Sequence, residues 1–172
     1  MTYKLPTDPS EAVALARSPD LSDVQLEAIA SSELPFLREE AALHPRSGAA
    51  ILARLLPARL DNEVELRLAR ALSLNPNTPA TILERLLGYL DSAALDGSRR
   101  DNGGYELLTL NILRHPNCPL EAGVAAIDRS ARGLRIQMAK VIMNADLLNR
   151  LAHDQSKSVS SLAEARLKSN GA

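Results

Sequence analysis

Aromatic residues are almost missing from this chain: they make up 2% of it, with no Trp and a single Phe. The core must therefore be built from Leu, Ala, Ile and Val, which suits closely packed short helices. We expect an all-α protein with almost no β-strand.

Cysteines, targeting signals and long apolar runs are scarce as well. A single cysteine, Cys118, excludes an internal disulfide framework and any metal cluster or structural zinc site held by several thiolates of this chain. Residues 1–8 have neither a basic start nor an apolar core, and no window reaches the roughly 18 unbroken apolar residues of a membrane span. These absences predict a soluble, cytoplasmic protein that does not act at a membrane.

The chain does have enough apolar material for a substantial core. Its 172 residues are 45% apolar and 24% charged, so they can fold as one domain or as one continuous repeat array. We interpret residues 1–172 as a single helical-repeat domain.

Residues 75–87 are the unit from which much of the chain is built. Asn75 precedes a proline and is pushed out of helical backbone geometry, and Pro76 cannot donate to a preceding turn, so one helix ends here. Thr78 can cap the following helix and Pro79 suits its first position, so the next helix begins here.

The same pattern recurs around other prolines. Apolar or small residues stand seven, ten and eleven positions after Pro19, Pro45, Pro76 and Pro116. In that order they are Leu26, Ile29 and Ala30; Leu52, Leu55 and Leu56; Leu83, Leu86 and Leu87; and Gly123, Ala126 and Ile127. A shared i, i+3, i+4 stripe turns each first helix toward the same neighbours, which predicts a stacked array of about five helical-hairpin repeats.

The repeats are unequal in length. Their starts fall near residues 18, 44, 75, 115 and 144, with Ala145 in place of the last proline, and the proline spacings are 26, 31 and 40 residues. The insertion at residues 88–104 is expected to be a loop, either a binding loop or tolerated slack. Residues 156–168 are expected to form a polar helix that caps the array.

The stretch 75–79, followed by apolar residues at 82–83 and 86–87, resembles the variant leucine-rich repeat family. Residues 115–119 are a second close match, and the resemblance covers roughly residues 18–153. It implies a right-handed α-α superhelix, a solenoid of paired short helices in which one of each pair is often 3₁₀ in character. Since the family period is shorter than most of these units, the chain also resembles HEAT-like solenoids. The resemblance implies no catalytic residues and no cofactor.

Two histidines and the cysteine could have a chemical role, but each has a simpler structural interpretation. His44 and His115 suggest a metal site, yet they occupy the place of Asn75 and Asn144, which favours capping of helix ends over metal binding. Cys118 aligns with the capping position of a first helix, where the helix dipole could lower its pKa, but no partner base is near in sequence.

Two carboxylate clusters could in principle supply an acid and a base. They are Glu39 with Glu40, and Glu63 with Glu65. On amphipathic helices such pairs usually form the solvated face, so we predict neither catalytic residues nor a metal site.

Charge is distributed unevenly behind a formal net charge of −1. Residues 1–50 carry 4 basic and 8 acidic side chains, whereas residues 111–172 carry 9 and 5. Positive charge concentrates around one helix start, and two further arginines lie in the expected loop, which makes these cations our candidate partner-binding residues. They are Arg129, Arg132, Arg135 and Lys140, with Arg99 and Arg100 in the loop.

These features predict a non-catalytic scaffold that binds a protein partner on the solenoid surface. The alternative is a helical-repeat protein that binds nucleic acid through its basic C-terminal part, and an enzyme ranks third. The pI near 6.3 and the lack of aromatic residues for base stacking favour the protein partner.

Overall fold

The computed structural model describes residues 3–95 and 103–170, and the side chains of these residues except 91–95 and 170. These two ranges contain eleven α-helices and no β-strand, so the prediction of an all-α protein is confirmed for them. The helices are α1 (Pro9–Ala16), α2 (Asp23–Ala30), α3 (Pro35–Leu43), α4 (Ala49–Leu55), α5 (Glu63–Leu74), α6 (Ala80–Leu95), α7 (Gly104–Arg114), α8 (Leu120–Arg129), α9 (Arg132–Val141), α10 (Ala145–Ala152) and α11 (Lys157–Asn170).

The contacts divide the chain into two compact units, Met1–Ile82 and Leu83–Ala172. In the first unit, α3 packs against α1, α2, α4 and α5, and α2 also packs against α4. In the second, α9 packs against α7 and α11, and α10 packs against α8 and α11. In both units, then, helices two apart in the sequence lie side by side.

Side-chain caps fix the starts of the first two helices. The carboxylate of Asp8 accepts hydrogen bonds from the backbone N–H groups of Ser10 and Glu11, with Pro9 at the first helical position. Ser22 and Gln25 form a complete capping box at the start of α2. Both helices thus begin at a side-chain cap.

Side-chain contacts give the direction of neighbouring helices in the first unit. Arg67 forms an ion pair with Glu39 at 3.2 Å, which joins the first half of α5 to the middle of α3. At the other end, the Nδ2 of Asn75 donates to the carbonyl of Ala42 at 2.7 Å, which joins their C-terminal ends. The helices α3 and α5 therefore run in the same direction.

The predicted apolar stripes form the core. All their members after Pro19, Pro45, Pro76 and Pro116 are buried except Leu56, which is half-buried. Leu56 follows the last residue of α4 as its C-terminal cap, so it leaves the stripe of the helix. Burial of these side chains supplies the main stabilising free energy of each unit.

Gly123 stands where the other stripes have a leucine, and the structure gives the reason. A Cβ at this position would lie 3.0 Å from Cδ2 of Leu147 and 3.4 Å from Sγ of Cys118. Leu147 of α10 is fully buried and fills the space that a leucine of α8 would need. The space of the missing side chain is therefore filled from α10.

The structure corrects two expectations about connections. The loop expected at residues 88–104 is shorter, since residues 88–95 continue α6 and Gly104 begins α7. Residues 96–102 lie outside the described part of the chain. Every helix in the described ranges is α, so the 3₁₀ helices that the family resemblance implies are not found there.

Candidate functional site

The candidate metal ligands His44 and His115 lie at helix ends, as the capping interpretation predicts. Each is buried and caps the C-terminus of its helix, α3 for His44 and α7 for His115. The Nδ1 of His44 accepts from the backbone N–H of Arg46 at 3.2 Å, and that of His115 accepts from the N–H of Asn117 at 3.0 Å. Both rings therefore fold back onto the turn that follows their helix.

Asn75 makes the equivalent contact at the end of α5. Its Oδ1 accepts from the N–H of Asn77 at 2.9 Å, as the two histidines do at their own turns. We call residues 44–47, 75–78 and 115–118 the junctions. The predicted equivalence of histidine and asparagine is confirmed for these three positions.

Two junctions reach back along the chain in the same way. Because Nδ1 of His44 accepts, its proton lies on Nε2, which donates to the carbonyl of Ser18 at 3.0 Å. The Nδ2 of Asn75 donates to the carbonyl of His44 at 2.9 Å. Ser18, His44 and Asn75 each directly precede a proline, so they hold the same position in three successive sequence repeats. The side chains of His44 and Asn75 therefore each contact the equivalent residue of the preceding repeat.

At two junctions, the residue after the proline also bonds to a carbonyl of the preceding repeat. Arg46 donates to the carbonyl of Leu21, and Asn77 donates to that of Ser47 at 3.5 Å. Leu21 and Ser47 both stand two positions after their prolines, Pro19 and Pro45. Thus an arginine and an asparagine donate to the same carbonyl position of the preceding sequence repeat.

Asn144 does not belong to this set, so its predicted equivalence is wrong. It is exposed and caps the N-terminus of α10, where its Oδ1 accepts from the N–H groups of Asp146 and Leu147. With Ala145 in place of proline, α10 begins only three residues after the C-terminal cap of α9, Ile142. The turn that forms a junction has no room there.

The position shared by Ser47, Thr78 and Cys118 is not the capping position of a helix N-terminus. The caps of α4 and α8 are the next residues, Gly48 and Pro119. The hydroxyls of Ser47 and Thr78 instead donate backwards, to the carbonyls of Ala41 and, at 2.6 Å, Leu72. These bonds satisfy carbonyls in the last turns of α3 and α5.

Cys118 is not activated. Burial raises the pKa of its thiol to about 11, so a lowering of this pKa by the helix dipole does not occur. A thiol with this pKa stays protonated near neutral pH and is a poor nucleophile.

The two carboxylate clusters are engaged in structural contacts. Glu39 pairs with Arg67, and Glu40 pairs with Arg17 at 2.5 Å. Glu65 accepts from the backbone N–H of Asp61 at 2.8 Å beside the start of α5. The described residues contain no group of three or more His, Cys, Asp or Glu that could hold a metal ion.

Among the candidate cations, Arg135 is fixed in the interior of the second unit. Its Nε and Nη2 contact the two carboxylate oxygens of Asp154 at 2.6 and 3.3 Å, and its Nη1 donates to the carbonyl of Ser130 at 2.6 Å. Side-chain exposure is 21% for Arg135 and 7% for Asp154. Arg135 therefore joins three elements and does not present a free charge to a partner.

The pKa of Asp154 reflects its contact with Arg135. Burial raises its pKa, but hydrogen bonds from Arg135 and the N–H of Ser156, with the charges of Arg135 and Arg150, outweigh burial, so the pKa is lowered overall. The carboxylate thus stays ionised opposite the guanidinium.

The other candidate cations are exposed but are not gathered at one place. Arg129 lies in the last turn of α8, and Arg132 begins α9, where its Nη2 contacts Oγ of Ser158 at 3.1 Å. Lys140 is in the last turn of α9, about 12 Å along the helix axis from Arg132. Arg99 and Arg100 lie outside the described residues.

A cavity that the sequence does not predict lies in the first unit. Its volume is about 530 Å³, within the range of small-molecule sites. Its walls come from α3, α4, the connection at residues 56–62 and α5; they are Arg38, Arg54, Leu55, Leu56, Pro57, Ala58, Asn62, Val64, Glu65 and Leu68. The one signal in the sequence is the longer spacing of 31 residues between Pro45 and Pro76, against 26 for the unit before.

No helix in the described ranges is both long enough and apolar enough to cross a membrane. Comparison with protein-family models, curated proteins and solved structures finds no match to this chain.

Proposed function

We propose that the chain is a helical-repeat protein, a right-handed solenoid of variant leucine-rich or HEAT-like units, whose function is to bind a protein partner. The observation that carries this proposal is the repetition of the junction contacts. His44 and Asn75 each bond the counterpart position one unit earlier, as Arg46 and Asn77 do. Units that repeat the same contact can be stacked in series, and such arrays expose a long surface for binding.

The candidate chemical groups favour a binding role over catalysis. The histidines at the junctions cap helices, three of the four clustered glutamates are held in contacts, and the cysteine is protonated. Catalytic acids, bases and nucleophiles need side chains poised to exchange protons or bonds with a substrate. The side chains that drew attention in the sequence are committed to the fold instead.

We place the partner-binding residues on the exposed cations of the second unit, which are Arg129, Arg132 and Lys140. Arg135 is left out because it holds Asp154. Arg99 and Arg100 stay candidates from the sequence alone. An acidic protein surface would complement these cations, with an effect on association that weakens as salt increases.

The test is co-purification from cells that express the protein, after nuclease treatment, at low and at high salt. The test variant replaces Arg129, Arg132 and Lys140 with Ser. The matched control replaces Lys4, Arg59 and Arg85, which are also exposed, with Ser and changes the net charge equally. We expect a protein recovered with wild type and control that is reduced with the test variant, more so at low salt.

Two results would contradict the proposal. If no protein is recovered in an amount comparable to that of the bait, the proposed scaffold function is wrong. Equal recovery of a partner by both variants would remove the cations as its site. Binding of purified duplex DNA with a steep salt dependence would favour the alternative, a nucleic-acid-binding repeat protein.

A further inference from the structure

The cavity of the first unit contains an arginine whose charge has no partner. Among residues 3–95 and 103–170, the guanidinium of Arg38 makes no ion pair and no hydrogen bond, and its Nε is buried. Only Nε is buried, so the terminal nitrogens are the atoms that an anion in the cavity would meet. Arg38 therefore brings to the cavity a positive charge that an anion would complement.

The other charged groups of the cavity wall are already paired. Arg54 pairs with Glu27 through both of its terminal nitrogens, and Glu65 accepts from the N–H of Asp61. Arg38 is thus the cation without a carboxylate partner among the described groups that line the cavity.

Several apolar side chains complete the wall. They are Leu55, Leu56, Pro57, Val64 and Leu68. Leu56 is the one stripe residue that left the core, and it contributes to this wall. These side chains can contact an apolar body beside the charged group of a ligand.

We propose that this cavity binds a carboxylate carried on an apolar group, with Arg38 as the partner of the carboxylate. A guanidinium pairs with a carboxylate through two parallel hydrogen bonds, so one arginine is sufficient for this anion. Phosphate sites commonly gather several cations and backbone donors, whereas Arg54 is held by Glu27 and Glu65 adds a negative charge. The proposal is independent of the partner-binding cations, which lie at residues 129–140.

Two sources could supply this chemistry: a free aliphatic acid, or the C-terminal carboxylate of a peptide that ends in an apolar residue. The test is calorimetric titration with hexanoate, with hexanol as the uncharged control, and with a short peptide ending in Leu, as the free acid and as the amide. We expect binding of hexanoate or of the free-acid peptide, and at least about tenfold weaker binding of the matching uncharged probe, because a charge-assisted hydrogen bond is lost.

Three variants locate the site. Arg38→Met keeps the apolar stem and removes the charge, so carboxylate affinity should fall at least about tenfold while thermal stability is retained or rises. Ala58→Trp keeps Arg38 and fills the cavity from its exposed edge, so it should also abolish binding. Arg70→Met, a half-buried arginine of α5 that does not line the cavity, should bind as wild type does.

Hexanoate bound alone identifies a small acid as the ligand, and the free-acid peptide bound alone identifies a chain terminus. The proposal is overturned if neither carboxylate binds the wild-type protein, or if charged and uncharged probes bind equally. It is also overturned if Ala58→Trp and Arg70→Met have the same affinity. Should Arg38→Met fail to fold, this last comparison still decides the matter.

Discussion

Asn75 donates a hydrogen bond from Nδ2 to the carbonyl oxygen of His44 at 2.9 Å, and these two residues hold the same place in successive units. His44 in turn donates to Ser18, which holds that place one unit earlier. The two repeats have unequal spacings of 26 and 31 residues, yet they make the same contact. The difference in length therefore lies elsewhere in the repeat, and the junction is unchanged.

Replacement of Asn75 by Ala should lower the free energy of unfolding by at least about 2 kcal/mol, because the carbonyls of Ala42 and His44 would lose a buried donor. The matched control is Asn77→Ala. Asn77 also donates to the preceding unit, but it is exposed, so water can replace it and the loss should stay below about 1 kcal/mol. Urea unfolding measures both, and equal losses would show that the buried junction has no special weight.

Two substitutions of His44 should lower thermal stability to different extents. His44→Asn should keep an acceptor for the N–H of Arg46 but leave the carbonyl of Ser18 unpaired, because Asn is shorter. His44→Ala should lose both contacts. Thermal unfolding is expected to rank wild type above His44→Asn and His44→Ala lowest; an asparagine variant no better than alanine would refute the equivalence of the two side chains.

The ion pair of Arg135 with Asp154 should be essential for the stability of the second unit. Asp154→Asn leaves a half-buried guanidinium without its counter-charge, for which we expect a loss of about 3–5 kcal/mol. The control is Asp128→Asn, which breaks the exposed pair with Arg150 and should cost no more than about 1 kcal/mol. Similar losses in the two variants, measured by urea unfolding, would mean that the buried pair contributes no more than a surface pair.

The same pair predicts a pH dependence. The pKa of Asp154 is lowered in the folded state, so its stabilising effect is present above the pKa of the unfolded chain, about 4, and is lost as pH falls through the folded value. The stability difference between wild type and Asp154→Asn should therefore shrink below about pH 4. A difference that stays constant through this range would contradict the assignment.

Cys118 should react slowly in the folded protein. With a pKa of about 11, roughly 10⁻³ of the thiol is ionised at about pH 8, against roughly a quarter for an ordinary thiol. Alkylation by iodoacetamide, followed by mass spectrometry, should be at least about 100-fold slower than in urea-unfolded protein. Comparable rates in the two states would mean that the thiol is neither buried nor raised in pKa.

Features with a local cause were predictable from the sequence. The stripes after Pro45 and Pro76 depend on helical periodicity and on the punctuation of helix ends, so the burial of Leu52 and Leu83 followed from spacing alone. The failure at Asn144 has a local cause too, because without a proline at 145 the same residue type caps the start of a helix.

Features that depend on tertiary packing were not predictable in this way. Arg135 has the sequence surroundings of a surface cation, and its partner Asp154 lies 19 residues away on another element. The cavity likewise combines residues of α3, α4 and α5, and only the longer second spacing hints at it. Charge patterns along one chain do not reveal which charges become buried and paired.

The most direct test of the central claim, a stack of equivalent units, is to delete one unit in register. Removing residues 45–75 joins His44 to Pro76 and puts the histidine in the place of Asn75, whereas removing only residues 45–66 joins His44 to Arg67 inside α5, out of register. Because repeat proteins depend on nearest-neighbour contacts, we predict that the in-register deletion stays helical by circular dichroism and unfolds cooperatively in urea, while the out-of-register deletion does not. If both deletions unfold the protein alike, or both leave it folded, the units are not equivalent and the solenoid proposal is wrong.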